Sequence, residues 1–308
     1  MSKLPITGIV LLDKPEGLSS NHALQKVKRL YHAEKAGHAG TLDPMATGML
    51  PICLGRATKL SEYLLDADKC YRATISLGSA TNTGDKTGEI IETAAVPAPF
   101  VIPAKAGIQS SSLDSRFRGN DLVTSVLEKF TGKIEQIPPM YSALKHEGQR
   151  LYKLARKGHE VERQPRPITI YRLQLIEFIG NELTIEVECS KGTYIRVLGE
   201  DIAKALGTVG HLSALRRLYS AGLEYAKMVS LEVLQQSNDL AAFLMPIESF
   251  LLDWPSVEIS PQQLETLYHG KPLRLEVEVT GRYKLICQSK LTGIADCQAG
   301  EIIERKLI

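Results

Sequence analysis

The sequence predicts an α+β protein, and three observations carry that reading. Strand-like and helix-like segments are intermixed without the regular βαβ repeat that builds a doubly wound sheet. Two strand-like runs, "ITIYRLQLIEFIG" and "ELTIEVECS", are joined by a short turn at Gly180 and Asn181, which suits an antiparallel hairpin. From about Asp253 the texture changes to short strand-like runs around Trp254, Pro255, Pro261 and Pro272, the mark of a small separate β domain. With 308 residues and 44% hydrophobic content the chain can bury a large core and still carry such an appendage.

"TGIVLLDKP" reads as a short buried strand stopped by Pro15, and "GLSSNHALQKVKRLYH" as a helix capped by Ser19 or Ser20. The stretch Gly37 to Gly55 reads as a loop. "ATKLSEYLLDADK" then has helical spacing, "CYRATISLG" alternates like a strand, and "SATNTGDKTG" is a turn-rich loop leading into "EIIE". Beyond Val123 the order is a helix at "SVLEKF", a loop "GKIEQIPPMYSALKHEG", a basic helix "RLYKLARKG", the hairpin, and a loop entering a helix at "KGTYIRVLGEDIAKALG". "LRLEVEVTG", "RYKLICQS" and "TGIADCQAGEIIERKLI" are the strand-like runs of the C-terminal part.

No run approaches the roughly 18 uncharged apolar residues of a membrane span, and the N-terminus lacks a signal-peptide pattern. A soluble, cytoplasmic, non-exported protein is expected. Cys53, Cys70, Cys189, Cys287 and Cys297 are odd in number, scattered and never spaced C-x-x-C, which argues for reduced thiols and against a disulfide framework or zinc site. The seven histidines show no metal-ligand spacing, so no metal is expected.

The net charge of +2 is unevenly spread. Between Tyr141 and Arg172 lie eight Lys/Arg against three Glu, leaving that segment at +5 and the remainder at −3. Interleaved with Tyr141, Tyr152 and Tyr171, it has the chemistry that a phosphate backbone with stackable bases attracts; the competing explanation is a solvated helix face.

The stretch "GHAGTLDPMATGMLPICLG" is dense in glycine and proline and holds one carboxylate, Asp43, in spacing that matches neither a P-loop nor a dinucleotide fingerprint. Together with "DKPEGLSS", "DKCYRATISLG" and "CSKGTYIRVLGED", in this order, it resembles the bacterial tRNA pseudouridine(55) synthases, the TruB family. The resemblance continues through "GKIEQIPPMYSALKHEGQRLYKLARKG" and "LSALRRL", omits Pro97 to Asp121, and weakens after about Ser237.

What the resemblance implies is a mixed, largely antiparallel sheet flanked by helices, with a small C-terminal PUA-like β domain. It implies isomerisation of the uridine at position 55 of the tRNA T-loop to pseudouridine, by flipping the base out of the stack. That reaction changes no redox state, so no cofactor is expected; it needs a nucleophile, a dry pocket and a means of proton removal. Asp43 matches the nucleophile, with Gly40 and Gly48 letting backbone approach the nucleotide and Pro44 fixing the turn. Arg196 matches the buried arginine that keeps this carboxylate charged and oriented. Tyr71 matches the tyrosine that stacks on the base and sits for proton removal, and Tyr194 a second ring lining the pocket. His38 matches a substrate-contacting histidine, and Leu215 a position whose backbone meets the uracil edge. Lys14 and Pro15 are expected to buttress the loop.

The domain reading is 1–250 catalytic, with an RNA-gripping insertion at 131–166 and a loop insertion at 97–121, and 251–308 RNA-binding. The expected partner is the tRNA T-arm stem-loop, with no membrane, no obligate protein partner and a monomeric enzyme. The alternative is a catalytically weak tRNA chaperone of the same fold. Position 39 is Ala where many family members carry Thr, a departure expected to be tolerated. The insertion, rich in Pro, Ser and Gly, falls where loop closure entropy grows only logarithmically with length. Replacing it by a short Gly/Ser turn is therefore expected to leave kcat/KM on tRNA within about tenfold, roughly 1.4 kcal/mol.

Overall fold

A computed structural model describes residues 6–97, 121–220, 223, 227–277 and 280–308. The insertion expected at 97–121 therefore lies almost wholly outside the described residues. A nine-stranded sheet organises the chain in the spatial order Val229–Ser230, Gly8–Lys14, Thr47–Leu54, Gly210–Ser220, Lys69–Leu77, Glu182–Cys189, Arg166–Ile179, Gly132–Gln136, with Ala36–His38 paired to Thr47–Leu54. The pairings are antiparallel except Gly8–Lys14 with Val229–Ser230 and Thr47–Leu54 with Gly210–Ser220.

The two halves of this sheet are buried differently, and the residue patterns follow. Gly8–Lys14 and Thr47–Leu54 are covered on both faces and read as continuous apolar runs. One face packs on the helix Ser20–Leu30 through Ala23, Leu24 and Val27; the other meets Leu60, Leu64, Ile247 and Leu251. Lys69–Leu77 and Glu182–Cys189 alternate instead: Tyr71, Ala73, Ile75, Ile185 and Val187 point into the core shared with the helix Ile195–Ala205, while Arg72 stands exposed on the opposite face.

The halves meet at a narrow seam, where only Arg216 opposite Thr47 and Arg217 opposite Gly48 are in parallel register. The hairpin turns at Gly180 and Asn181 as expected, since Ile179 pairs with Glu182. A second, four-stranded sheet, Ser256–Glu258, Gly281–Cys287, Lys290–Gln298 and Glu301–Leu307, encloses its own core around Leu285, Ala295 and Cys297. Ile294 of this unit reaches the larger body's second core. Trp254 packs edge-on to Tyr63, with the Arg282 guanidinium 4.8 Å above the Tyr63 ring. All five cysteines are buried with free thiols, and no helix among the described residues is long and apolar enough to cross a membrane.

Several local expectations change. Half of the presumed loop Gly37–Gly55 is the strand Thr47–Leu54, which tolerates Pro51 at its centre. The run "LSALRRL" lies in the strand Gly210–Ser220; bulges at 212/214 and 217/219 break the two-residue period by which strands are read. The basic helix shrinks to Leu151–Ala155, and the segment Gly55–Leu60 is a 3-10 turn ahead of the helix Ser61–Asp66. "LRLEVEVTG" supplies an isolated bridge at Arg274 and, among its described residues, no strand before Gly281. The helix Pro261–Tyr268 interrupts the part read as strand-like; it starts at a complete capping box, Ser260 with Gln263, with Pro at the first turn.

Candidate active site

Asp43 sits in the connection between Ala36–His38 and Thr47–Leu54, and three neighbours hold that connection in shape. Ser20 Oγ donates to the Leu42 carbonyl at 2.9 Å and accepts from the Leu42 amide at 2.8 Å, tying the loop to the first turn of the helix capped by Ser19. The side chain of Lys14 is fully buried and its Nζ donates to the carbonyls of Pro15, Leu18 and, at 3.3 Å, Pro44. Burial lowers the Lys14 pKa to about 8 while Asp43 and Glu16 pull it back up. The amide of Gly17 also donates to Pro44 at 2.8 Å. Lys14 and Pro15 thus serve as the expected buttress.

The carboxylate of Asp43 keeps 36% of its side-chain surface open, whereas its partner Arg196 keeps 7%; Nε and Oδ2 are 3.1 Å apart. Arg196 also donates from Nη1 to the Thr83 carbonyl at 2.9 Å and from Nη2 to the Tyr141 carbonyl at 2.7 Å. One guanidinium therefore joins the Asp43 loop, the turn at 81–88 and the start of the basic strip. Burial pushes the Asp43 carboxyl above the usual carboxylate range, Arg196 and Lys14 draw it down, and nearby Asp85 adds to the upward push.

Tyr71 is buried on the core face of its strand, directly opposite Arg217. Burial raises its phenol, opposed by the charge of Arg217 and a hydrogen bond with it. Tyr194 caps the helix Ile195–Ala205; its backbone is clamped by Gln136, whose Oε1 accepts from the Tyr194 amide at 2.8 Å and whose Nε2 donates to its carbonyl at 3.1 Å. Burial raises the Tyr194 phenol, and Asp43 contributes to the upward shift of both tyrosines. His38 is half-buried with Nδ1 lacking a hydrogen-bond partner, and burial together with Arg217 lowers its pKa, so the ring is neutral near pH 7. Leu215 lies opposite Ala73, two residues before Arg217. Beside Tyr194 an open groove of about 470 Å³ runs along Leu144, Arg166 and Lys191.

Sequence reasoning missed three supports. Asp85 is buried, its Oδ1 accepting from Thr83 Oγ1, Thr87 Oγ1 and the Thr87 amide, inside a stretch legible only as turn-rich. Gln136 fell in a presumed loop. Arg217 is fully buried and corrects the role given to two glycines: a Cβ on Gly48 would stand 2.2 Å from the Arg217 carbonyl oxygen, and one on Gly40 3.0 Å from its Nη1. At φ +98° and +96°, Gly40 gives room to the Arg217 guanidinium and Gly48 to the Arg217 backbone. Ala39 is buried in the second core.

The basic strip is also reshaped. Lys145, Arg150, Lys153, Arg156 and Lys157 are exposed. Arg163 is paired with Glu160, and Arg172 belongs to the sheet, where it pairs with Glu186 at 2.9 Å.

The family model described as TruB family pseudouridylate synthase (N terminal domain) matches residues 28–195, and that for the tRNA pseudouridylate synthase B C-terminal domain matches 196–252. A tRNA pseudouridine synthase B of Neisseria meningitidis serogroup B is 47% identical over 90% of this chain and 84% of its own length. One of Nitrosococcus oceani is 46% identical over 98% and 95%. Among solved structures, a chain in a Cbf5-Nop10-Gar1 complex shares the fold at TM-score 0.69 and 24% identity, covering 98% of this chain and 84% of that one. The Asp43 loop, its Arg196 partner and the sheet that brings them together are therefore those of a family member: this chain belongs to the TruB family of pseudouridylate synthases.

Proposed function

We propose that the protein converts the uridine at position 55 of the tRNA T-loop to pseudouridine, with Asp43 as nucleophile. The observation that carries the reading is the half-open Asp43 carboxylate held 3.1 Å from a buried Arg196. The carboxylate adds to the sugar or the base, the C1′–N1 bond breaks, the uracil turns, C1′ bonds to C5 and the bond to the carboxylate is released; the proton that leaves C5 is matched by one taken up at N1, so the product is an isomer of the substrate. A charged carboxylate suits the first step and is maintained in its pocket by the guanidinium.

In this reading Tyr71 and Tyr194 form the aromatic walls, Tyr71 being placed for proton removal. His38, neutral and with an orphan Nδ1, binds the substrate and acts as neither acid nor base. Leu215 meets the edge of the base. The exposed cations of the segment 131–166, and the groove lined by Arg166 and Lys191, grip the T-arm, while residues 251–308 extend the RNA contact. The enzyme acts in the cytoplasm as a monomer, without cofactor or obligate protein partner. The test is to map pseudouridines in total tRNA with and without the gene and to treat a T-arm stem-loop with the purified protein; unmodified position 55 in neither strain would end the proposal.

Affinity for the stem-loop is expected to fall steeply with salt. Replacing Lys145, Arg150 and Lys153 by Gln should lower the slope of log affinity against log salt by about two, near 0.7 per lost phosphate contact. An unchanged slope returns the strip to a solvated face.

A further inference from the structure

The geometry points to Arg217 as a positioning residue for the isomerisation, a single buried guanidinium that sets the Asp43 loop against Tyr71. This rests on the proposed function and adds a residue to it. Arg217 Nε donates to the Met49 carbonyl at 2.7 Å and Nη2 to the Gly40 carbonyl at 3.0 Å. These acceptors lie on either side of Asp43, so one rigid fork fixes the width of the loop's mouth. The same residue stands directly opposite Tyr71 on the neighbouring strand, and both are buried.

The surrounding chain is built around this group. Gly40 leaves room for the guanidinium and Gly48 for the Arg217 backbone, and the sheet's two halves touch in parallel register only at Arg216 and Arg217. On the other face of that seam Arg216 holds Asp13 through two contacts, Nη1–Oδ1 at 3.0 Å and Nη2–Oδ2 at 2.8 Å. The tandem arginines thus staple the junction on both sides, and the inner staple ends on the two carbonyls that flank Asp43, opposite Tyr71. A fully buried guanidinium is costly to desolvate, and an apolar side chain would fill a core position as well. What an apolar side chain cannot do is hold both carbonyls of the loop from the position facing the tyrosine.

The test compares wild type, Arg217→Lys, Tyr71→Phe and the double variant in single-turnover assays on a T-arm stem-loop, with stem-loop Kd and Tm measured alongside. Arg217→Lys keeps the charge but not the fork, so its rate constant should fall about a hundredfold, the cost of a displacement near 1 Å. Its Kd should stay within about threefold, and its rate effect should shrink at least tenfold in the Tyr71→Phe background, because coupled residues are not additive. A rate within about threefold of wild type, a loss confined to Kd or Tm, or full additivity overturns the proposal. If Arg217→Lys does not fold, Arg217→Gln takes its place with the same expectations, and failure of both to fold assigns the residue to stability alone. Product from wild type separates the two ideas: without it the functional reading fails, whereas with it an indifferent Arg217→Lys sinks only the positioning role.

Discussion

Asp43→Asn is expected to abolish pseudouridine formation, with a rate loss of at least about a thousandfold, roughly 4 kcal/mol. The amide keeps the shape of the side chain, and besides the Arg196 pair the contacts that hold the loop do not use the carboxylate: Ser20 binds Leu42, and Lys14 and Gly17 bind Pro44. Affinity for the stem-loop should therefore stay within a few-fold. Product formation and binding are measured separately, and residual turnover above about one percent of wild type removes Asp43 from the nucleophile role. The wild-type rate should also fall as pH drops, because protonation consumes the nucleophile. Since burial holds the Asp43 carboxyl above the usual carboxylate range, that acid limb should lie higher than for a free aspartate.

Asp43, Arg196 and Tyr71 were singled out through the ordered motifs that carry the family resemblance; a lone carboxylate in a glycine-framed stretch, an arginine entering a helix or a tyrosine on an alternating strand does not announce a site by itself. The fold was legible where burial has a simple period, as in Lys69–Leu77 and Glu182–Cys189. What escaped are chiefly features defined by partners distant in sequence. Arg217 looked like half of a basic pair on no particular element, since two bulges hide the strand that carries it and its acceptors lie some 170 residues away, with |i−j| of 168 and 177. Gly40 and Gly48 required a backbone without a Cβ, but the sequence does not say whether a ligand or a side chain fills the space. Gln136 sits in a stretch whose composition signals a turn, and its role arises only when Tyr194, 58 residues away, is folded against it; Asp85, held by its near neighbours Thr83 and Thr87, escaped because its stretch reads only as turn-rich.

Arg196→Met should cost nearly as much as loss of the nucleophile, and for a different reason. Arg196 joins Asp43, the Thr83 turn and Tyr141 at the start of the basic strip. Methionine leaves the Thr83 and Tyr141 carbonyls without that donor and Asp43 without its cation, a loss of roughly 1–3 kcal/mol in stability. The sign of the electrostatic effect is fixed: Arg196 lowers the Asp43 carboxyl, so its removal raises it further and shifts the acid limb of the rate to higher pH. Arg196→Lys retains a charge but one ammonium cannot hold three directions, so it should show a smaller shift of the limb yet still lose about a hundredfold in rate through misplacement. Single-turnover rates across pH, with thermal midpoints, distinguish these contributions. A variant at position 196 whose acid limb coincides with wild type and whose rate stays within about tenfold would mean that Asp43 does not depend on this guanidinium for its charge. Because the Lys145, Arg150 and Lys153 contacts are untouched, the salt slope of binding should be the same in both variants, and that invariance is what marks the loss as chemical rather than as a loosened grip on RNA.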